Sequence, residues 1–187
     1  TENYLRNSPF AELVIDNDEI QKRPAVSLAD ILQNEPGISL VRDGIWGTEL
    51  NIRGLSRENI VTLINGNRIV TSTDIAARLS MIHLNDIDRV EVIKGASSSI
   101  YGSGATGGIV NIITKSPQFY NKFSLNGNVS GEYNTVNDLS IFSGSFLGGS
   151  SIWSAKISGS YRNAKNIQTP IGELKNSQFE DYSFSGA

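Results

Sequence analysis

The stretch that decides the fold covers residues 87–115 and reads IDRVEVIKGASSSIYGSGATGGIVNIITK. Two runs rich in β-branched residues, 89–94 and 109–114, frame a segment of serine and glycine. This pattern predicts two strands joined by an irregular connection. The connection also contains a full match to G-x-G-x-x-G, so its glycines either hold a dinucleotide or shape the backbone.

The context of the glycine pattern argues against a dinucleotide site. Such a fingerprint needs glycines directly after a strand and at the start of a helix, with an acidic residue about 20 positions later. Here the preceding strand ends at Lys94, a strand-like run follows Gly107, and Glu132 is the nearest acid to the expected position. The glycines are therefore expected to allow tight turns and close backbone approach. This role is assigned to Gly95, Gly102, Gly104, Gly107 and Gly108.

The composition narrows the possible classes of protein. The chain has 187 residues, a formal net charge of −3, one histidine and no cysteine. No disulfide framework, thiolate zinc site or other cofactor is expected, and the charge does not indicate nucleic acid as a partner. An enzyme has little support because G-x-S-x-G, H-E-x-x-H and P-loop patterns are absent. No apolar run is long enough for a membrane helix, and we expect any export signal to have been removed already.

Short helices and strands are predicted in the first 120 residues. Capping boxes are indicated at Asp16 and at Ser27 with Asp30, each at the start of a short helix. Asn65 and Gly66 indicate a type I′ turn, because both central positions of that turn need positive φ. Further strands are predicted at residues 38–41, 49–53 and 60–64. The mixture predicts a small α+β domain.

The sequence changes character after residue 120, and we place a domain boundary at 117–121. Segments 122–133, 139–149, 151–162 and 180–187 alternate apolar with small polar residues. Such runs are typical of outer-membrane β-barrel strands, but a soluble antiparallel sheet with one face on a core alternates in the same way. The alternation alone leaves both possibilities open. They differ in whether lipid or a protein core covers the apolar residues Phe123, Leu125, Val129, Trp153, Ile157 and Tyr161.

The stretch 87–115 resembles the signature at the end of the plug domain of TonB-dependent outer-membrane receptors. The upstream segments LADILQNEPGI, LNIRGL and IVTLINGNRI follow in that family's order and spacing, so the resemblance covers about residues 10–117. One departure is Ala96, where the family usually has proline. The resemblance implies an α+β plug domain at 1–117, with a mixed sheet of four-stranded type and short helices. Antiparallel strands of a transmembrane β-barrel, incomplete in this chain, are implied at 121–187.

The resemblance also implies a function. Members of this family import scarce nutrients across the outer membrane of Gram-negative bacteria, and the plug gates the barrel lumen. A ferric siderophore is the first expectation, with cobalamin, haem or a glycan as alternatives. The implied partners are TonB, a metal chelate or similar small molecule, and outer-membrane lipid. We expect the TonB-binding box to be missing from this chain. We expect the chain to be a fragment of such a receptor. The alternative is a soluble secreted or periplasmic binding or adhesion module with a plug-like fold.

Charged residues of the plug are implied to hold it in the barrel. Arg53 and Lys94 match family positions that pair with barrel glutamates, although lysine lacks the bidentate fork of arginine. Arg89 and Glu91 lie two positions apart on one predicted strand and therefore share a face, so they are candidates for the same network. The alternative for these residues is solvated surface charge.

Ligand contacts are implied in three outward loops, 42–48, 56–59 and 71–78. The candidate residues are Arg42, Trp46, Arg57, Thr73, Asp74 and Arg78. The arginines suit an anionic chelate, whereas Trp46 suits either stacking on a ligand or packing on the barrel wall. We interpret His83 as structural.

Overall fold

The computed structural model describes residues 13–23, 25–42, 48–69, 79, 82–95, 104–135 and 137–187. The chain divides into two compact units, Thr1–Lys115 and Ser116–Ala187. No helix in the described ranges has both the length and the apolar character needed to cross a membrane.

The first unit contains short helices and eight strands in its described part. The helices are α1 (Asn17–Lys22) and α2 (Leu28–Leu32), with 3-10 turns at Arg57–Asn59 and Leu84–Asp86. The strands are β1 (Leu13–Asp16), β2 (Ile38–Arg42), β3 (Thr48–Ile52), β4 (Leu55–Ser56), β5 (Ile60–Ile64), β6 (Asn67–Arg68), β7 (Ile87–Lys94) and β8 (Gly108–Thr114).

These strands form a five-stranded mixed sheet and a three-stranded sheet. The larger has the order β1-β7-β8-β5-β6, in which β5 and β8 are parallel and the other pairs antiparallel. The α+β class and the mixed sheet are confirmed, but the sheet has five strands rather than four. The extra strand is β6, which folds back on β5 because Asn65 and Gly66 adopt φ values of 51° and 80°. The predicted type I′ turn is therefore confirmed in its positive φ values.

The two faces of the larger sheet bury different apolar clusters. Val90 and Val92 of β7 join a cluster with the helices and the three-stranded sheet, whereas Ile93 points to the other face. The first cluster includes Ile15, Ile20, Leu28, Ile31, Leu32, Leu50, Ile52 and Ile112, and the second contains Val61, Leu63, Ile93, Ala105 and Ile109.

One of the two predicted capping boxes forms. The Asp30 carboxylate accepts hydrogen bonds from the backbone N–H groups of Val26 at 2.9 Å and Ser27 at 2.8 Å. Asp16 is the N-cap residue of α1 but makes no side-chain cap hydrogen bond, so that prediction was wrong. Asp16 is also the last residue of β1, where it lies opposite Arg89.

The second unit is an antiparallel sheet with a small additional hairpin. Its strands are β9 (Ser124–Asn134), β10 (Leu139–Gly149), β11 (Ser154–Ala164), β12 (Ile167–Thr169), β13 (Gly172–Leu174) and β14 (Phe179–Gly186). The four long strands have the order β14-β11-β10-β9, and β12 pairs with β13. The prediction of antiparallel strands after the first domain is confirmed.

Candidate functional site

Arg53 lies in a turn rather than at the end of a strand. Ile52 pairs with Leu55, so Arg53 and Gly54 form a two-residue turn between β3 and β4, with φ values of 51° and 83°. The predicted strand 49–53 therefore ends one residue early. A left-handed conformation costs a residue with a Cβ about 1–2 kcal/mol. The Arg53 N–H donates to the carbonyl oxygen of Gly37 at 2.9 Å, which helps to hold the turn in place.

The side chains of Arg53 and Lys94 lie close to the segment Pro36–Gly37, and Arg53 also lies close to Gly95. A Cβ built on Gly95 would lie 3.6 Å from Arg53 Nη1, and one on Gly37 would lie 3.8 Å from Arg53 Cγ. Lys94 Nζ donates to the carbonyl oxygen of Pro36 at 2.8 Å. The structure thus brings Arg53 close to Gly95, the residue after Lys94. The pairing of Arg53 and Lys94 with glutamates of a barrel stays a prediction.

Arg89 and Glu91 pair with each other. Arg89 Nε donates to Glu91 Oε1 at 2.9 Å, and its Nη1 donates to Asp88 Oδ2 at 3.1 Å. Burial opposes the charged form of Arg89, but the hydrogen bonds and charges of Glu91 and Asp88 outweigh it and raise the pKa of the guanidinium. Glu91 is only 1% exposed, so its carboxylate oxygens find hydrogen-bond donors in the protein rather than in water.

Asn111 completes this network, although no pattern in the sequence had marked it as a candidate residue. Asn111 Nδ2 donates to Glu91 Oε2 at 2.9 Å, so each oxygen of the buried carboxylate has a donor. Asn111 Oδ1 accepts from the N–H of Gly66 at 3.1 Å, which ties the turn after β5 to β8. The available signal was an amide in the middle of the apolar run IVNII.

The glycines before and within β8 allow the 3-10 segment Arg57–Asn59 and β7 to approach closely. A Cβ on Gly107 would lie 3.0 Å from the carbonyl oxygen of Asn59, and one on Gly108 would lie 2.5 Å from that of Ile93. Gly107 instead donates its N–H to Asn59 O at 2.8 Å and accepts from the N–H of Gly95 at 3.0 Å. Backbone segments can approach this closely only where the residue has no side chain, as in glycine. Gly102 and Ala96 lie outside the described residues.

The candidate ligand loops are described only in part. Trp46, Thr73, Asp74 and Arg78 lie outside the described residues, as do the side chains of Arg42 and Arg57. Their ligand contacts stay predictions. Arg42 is the last residue of β2, and its backbone pairs with Thr48, the first residue of β3.

His83 caps a 3-10 turn, because its Nδ1 accepts from the N–H of Asn85 at 3.2 Å. In the described part of the chain, no three or more acidic or histidine side chains group as a metal site would.

The second unit exposes its apolar face. Val129, Ile157 and Phe184 are 76%, 54% and 78% exposed. The opposite face is more polar, although Leu139 and Ile141 of β10 lie buried on it. It carries cross-strand pairs of serine hydroxyls 2.7 Å apart, such as Ser130 with Ser143. The same face holds a bidentate pair in which Arg162 Nε and Nη2 donate to Asp181 at 2.8 and 2.9 Å. The pattern is the reverse of a sheet that covers a soluble core.

Comparison with known proteins identifies a matching family model and several relatives that are transporters or receptors. The family model described as TonB-dependent Receptor Plug Domain matches residues 5–109, more than half of the chain. The vitamin B12 transporter BtuB of Photobacterium profundum is 39% identical over 102 residues, which are 54% of this chain and 17% of that protein. The ferric enterobactin receptor PirA of Pseudomonas aeruginosa is 31% identical over 132 residues, 62% of this chain and 18% of that protein.

A solved structure of the copper transporter OprC has a similar fold. It superposes with a TM-score of 0.82 over 95% of this chain and 27% of that protein, at 20% identity. The matched regions span about a fifth or less of the two curated relatives. The predicted resemblance to the plug-bearing receptors is confirmed by these matches.

Proposed function

The chain belongs to the TonB-dependent receptor plug domain family, and on that premise we propose that it gates active nutrient uptake across the outer membrane of a Gram-negative bacterium. The first unit acts as the plug, and the long strands of the second unit contribute to the wall of the transport path. The chain performs no chemistry on its ligand. TonB supplies the energy from the inner membrane.

The observation that carries this proposal is the exposed apolar face of the second unit. Val129, Ile157 and Phe184 face outward while serine hydroxyls pair on the other face. A membrane β-barrel strand needs this arrangement, with apolar residues toward lipid and polar residues toward the lumen. A soluble binding or adhesion module would bury these apolar side chains against a core. The soluble alternative is therefore not favoured.

We propose a ferric siderophore as the transported ligand. Among the relatives, one is named for ferric enterobactin and another for vitamin B12, so these two ligands are the ones to compare. Arg42, Arg57 and Arg78, in loops that the resemblance implies to face outward, suit the negative charge of a ferric chelate.

Binding to the purified receptor that contains this chain tests the ligand. Ferric enterobactin and cyanocobalamin are titrated separately, and binding is followed by the quenching of tryptophan fluorescence. We expect saturable binding of ferric enterobactin only. Saturable binding of cyanocobalamin alone would replace the siderophore with a cobalamin, and binding of neither would contradict both assignments.

Charge substitutions in the loops make the same assay more specific. Changing Arg42 or Arg78 to glutamine is expected to weaken ferric chelate binding about tenfold or more, because a hydrogen bond to a charged group contributes about 1.5–3 kcal/mol. Lys22→Gln, at the exposed end of α1, is the matched control and should leave binding unchanged. Equal effects at all three positions would indicate unspecific electrostatic attraction instead.

A further inference from the structure

The turn between β5 and β6 contains a chemically labile pair of residues, Asn65–Gly66. In an Asn–Gly pair the backbone nitrogen of glycine can attack the side-chain amide of asparagine, because glycine has no Cβ to hinder the approach. A bond forms between that nitrogen and Cγ, the Cγ–Nδ2 bond breaks, and the nitrogen's proton leaves with the amide group as ammonia. Water then opens the resulting succinimide ring to aspartate or isoaspartate. One other Asn–Gly pair, Asn126–Gly127, occurs in the chain.

Strand β8 binds both reacting groups of this pair. The Gly66 N–H donates to Oδ1 of Asn111 at 3.1 Å, and Asn111 is buried. The side-chain amide of Asn65, which contains the carbon that would be attacked, is bound at both ends by Thr114. Its Nδ2 donates to Thr114 Oγ1 at 2.9 Å, and its Oδ1 accepts from the Thr114 N–H at 2.9 Å. The Asn65 N–H donates to the carbonyl oxygen of Ile112 at 2.9 Å, which fixes the turn itself to β8.

These contacts oppose the reaction at both reacting atoms. The Gly66 nitrogen attacks only after it loses its proton, and a proton held by a buried acceptor is shielded from base in the solvent. The Cγ atom of Asn65 must also turn toward that nitrogen, which breaks both bonds to Thr114. The turn therefore has to open before the reaction begins, so the reaction rate follows the population of the open form.

We propose that Asn65 is a latent deamidation site, which Thr114 and Asn111 keep unreactive while β8 is paired with β5. Either product would alter the turn. A carboxylate has no N–H group to donate to Thr114 Oγ1, and isoaspartate adds one atom to the main chain, which moves the Gly66 N–H away from Asn111. Because Asn111 also donates to Glu91, a reaction at the turn would disturb the buried charge network.

Peptide mapping by mass spectrometry tests the site in the purified receptor that contains this chain. The receptor is incubated in mildly alkaline buffer, and aspartate and isoaspartate are quantified at Asn65 and, as an internal reference in the second unit, at Asn126. The folded wild type is compared with the same receptor unfolded in guanidinium chloride and with the variants Thr114→Val and Asn111→Ala.

Thr106→Val is the matched control for Thr114→Val. Thr106 is also a threonine of the first unit whose hydroxyl makes a side-chain hydrogen bond, to Asn59 Oδ1 at 2.8 Å, but it does not bind the turn. The measurement needs no ligand, so its outcome is independent of the proposed function.

Asn65 should convert about tenfold or more slowly in the folded than in the unfolded wild type, because each hydrogen bond that opening breaks contributes a factor of about two to ten. Thr114→Val removes one of these bonds and should speed the conversion of Asn65 by about that factor, with Asn126 unchanged. Asn111→Ala should speed it further, because it also weakens the pairing of the turn with β8.

Three results would overturn the proposal. The first is equal conversion of Asn65 in the folded and unfolded wild type. The second is an equal rate at Asn65 in Thr114→Val and Thr106→Val, or a parallel rise at Asn126, which would indicate general loosening of the receptor. The third is the absence of conversion at Asn65 in both Thr114→Val and Asn111→Ala, which would show that the backbone of the turn prevents the reaction without these two side chains.

Discussion

Replacing Asn111 by alanine tests how strongly the buried network stabilises the first unit. The change removes the donor to Glu91 Oε2 and the acceptor for the N–H of Gly66. Because Glu91 is almost completely buried, water is a poor substitute for the lost donor, and a buried carboxylate oxygen such as Oε2 that is left without a donor costs about 2–3 kcal/mol. The bond to the turn adds about 0.5–1 kcal/mol, so we expect a loss of about 3 kcal/mol, or roughly 100-fold in the opening equilibrium.

Native-state hydrogen exchange on the receptor measures this loss through the amides of β5 and β8. Asn34→Ala is the matched control, because Asn34 is exposed and its Nδ2 donates to the Asp30 carbonyl at 3.3 Å; we expect a change within about 0.5 kcal/mol. Glu91→Gln completes a double-mutant cycle with Asn111→Ala, in which coupling of about 1 kcal/mol or more is expected. If Asn111→Ala changes the opening free energy no more than Asn34→Ala does, the reasoning about the buried carboxylate is refuted.

Two further predictions concern the packing of Gly104 in the first unit and the ion pair of Asp138 and Lys165 in the second unit. Gly104→Ala and Gly54→Ala both place a side chain at positive φ, 92° and 83°, but only at Gly104 would the Cβ clash, at 2.7 Å from Glu58 O. Hydrogen exchange should therefore show Gly104→Ala to be about 1–3 kcal/mol more destabilising, and equal losses would contradict the steric explanation. The hydrogen bond from Lys165 lowers the pKa of Asp138, and the same hydrogen bond to Asp138 raises the pKa of Lys165. The stability from this pair should be present above the usual pKa of aspartate, near 4, and should be lost as pH falls through the lowered pKa of Asp138. On the alkaline side it should be present below about 10 and should be lost as pH rises through the raised pKa of Lys165. The Lys165 amide, whose N–H donates to the carbonyl oxygen of Asn137, should lose protection from hydrogen exchange at acid pH after correction for its intrinsic rate. Constant protection would show that the ion pair does not stabilise this contact between Lys165 and the Asn137–Asp138 segment.

Short-range signals were sufficient for most secondary-structure elements. The Asn65–Gly66 turn and the cap of Asp30 on α2 depend on residues at most four positions apart, so the sequence predicts them directly. The turn at Arg53 was missed because arginine rarely adopts positive φ, and its position depends on a hydrogen bond to Gly37. The two-residue strand β6 was missed for a similar reason, since only its pairing with β5 defines it.

The candidate site depended more on long-range contacts. Glu91 and Asn111 are 20 positions apart and meet only because β7 and β8 pair in register. The sequence identified Arg89 and Glu91 as residues on one face, but not that each would be the other's partner. Which charge partners which depends on strand register, and a shift of one residue would move every side chain to the other face.

By itself the sequence determined most of the strands, the Asn65–Gly66 turn and the cap of α2, and through its motifs it determined the family. These properties follow from backbone preferences and side-chain periodicity within a few residues. The tertiary structure decided which face of the second unit is exposed and how the charge of Glu91 is compensated. Alternation divides a strand into two faces without saying which one meets solvent, because that depends on what the folded sheet packs against.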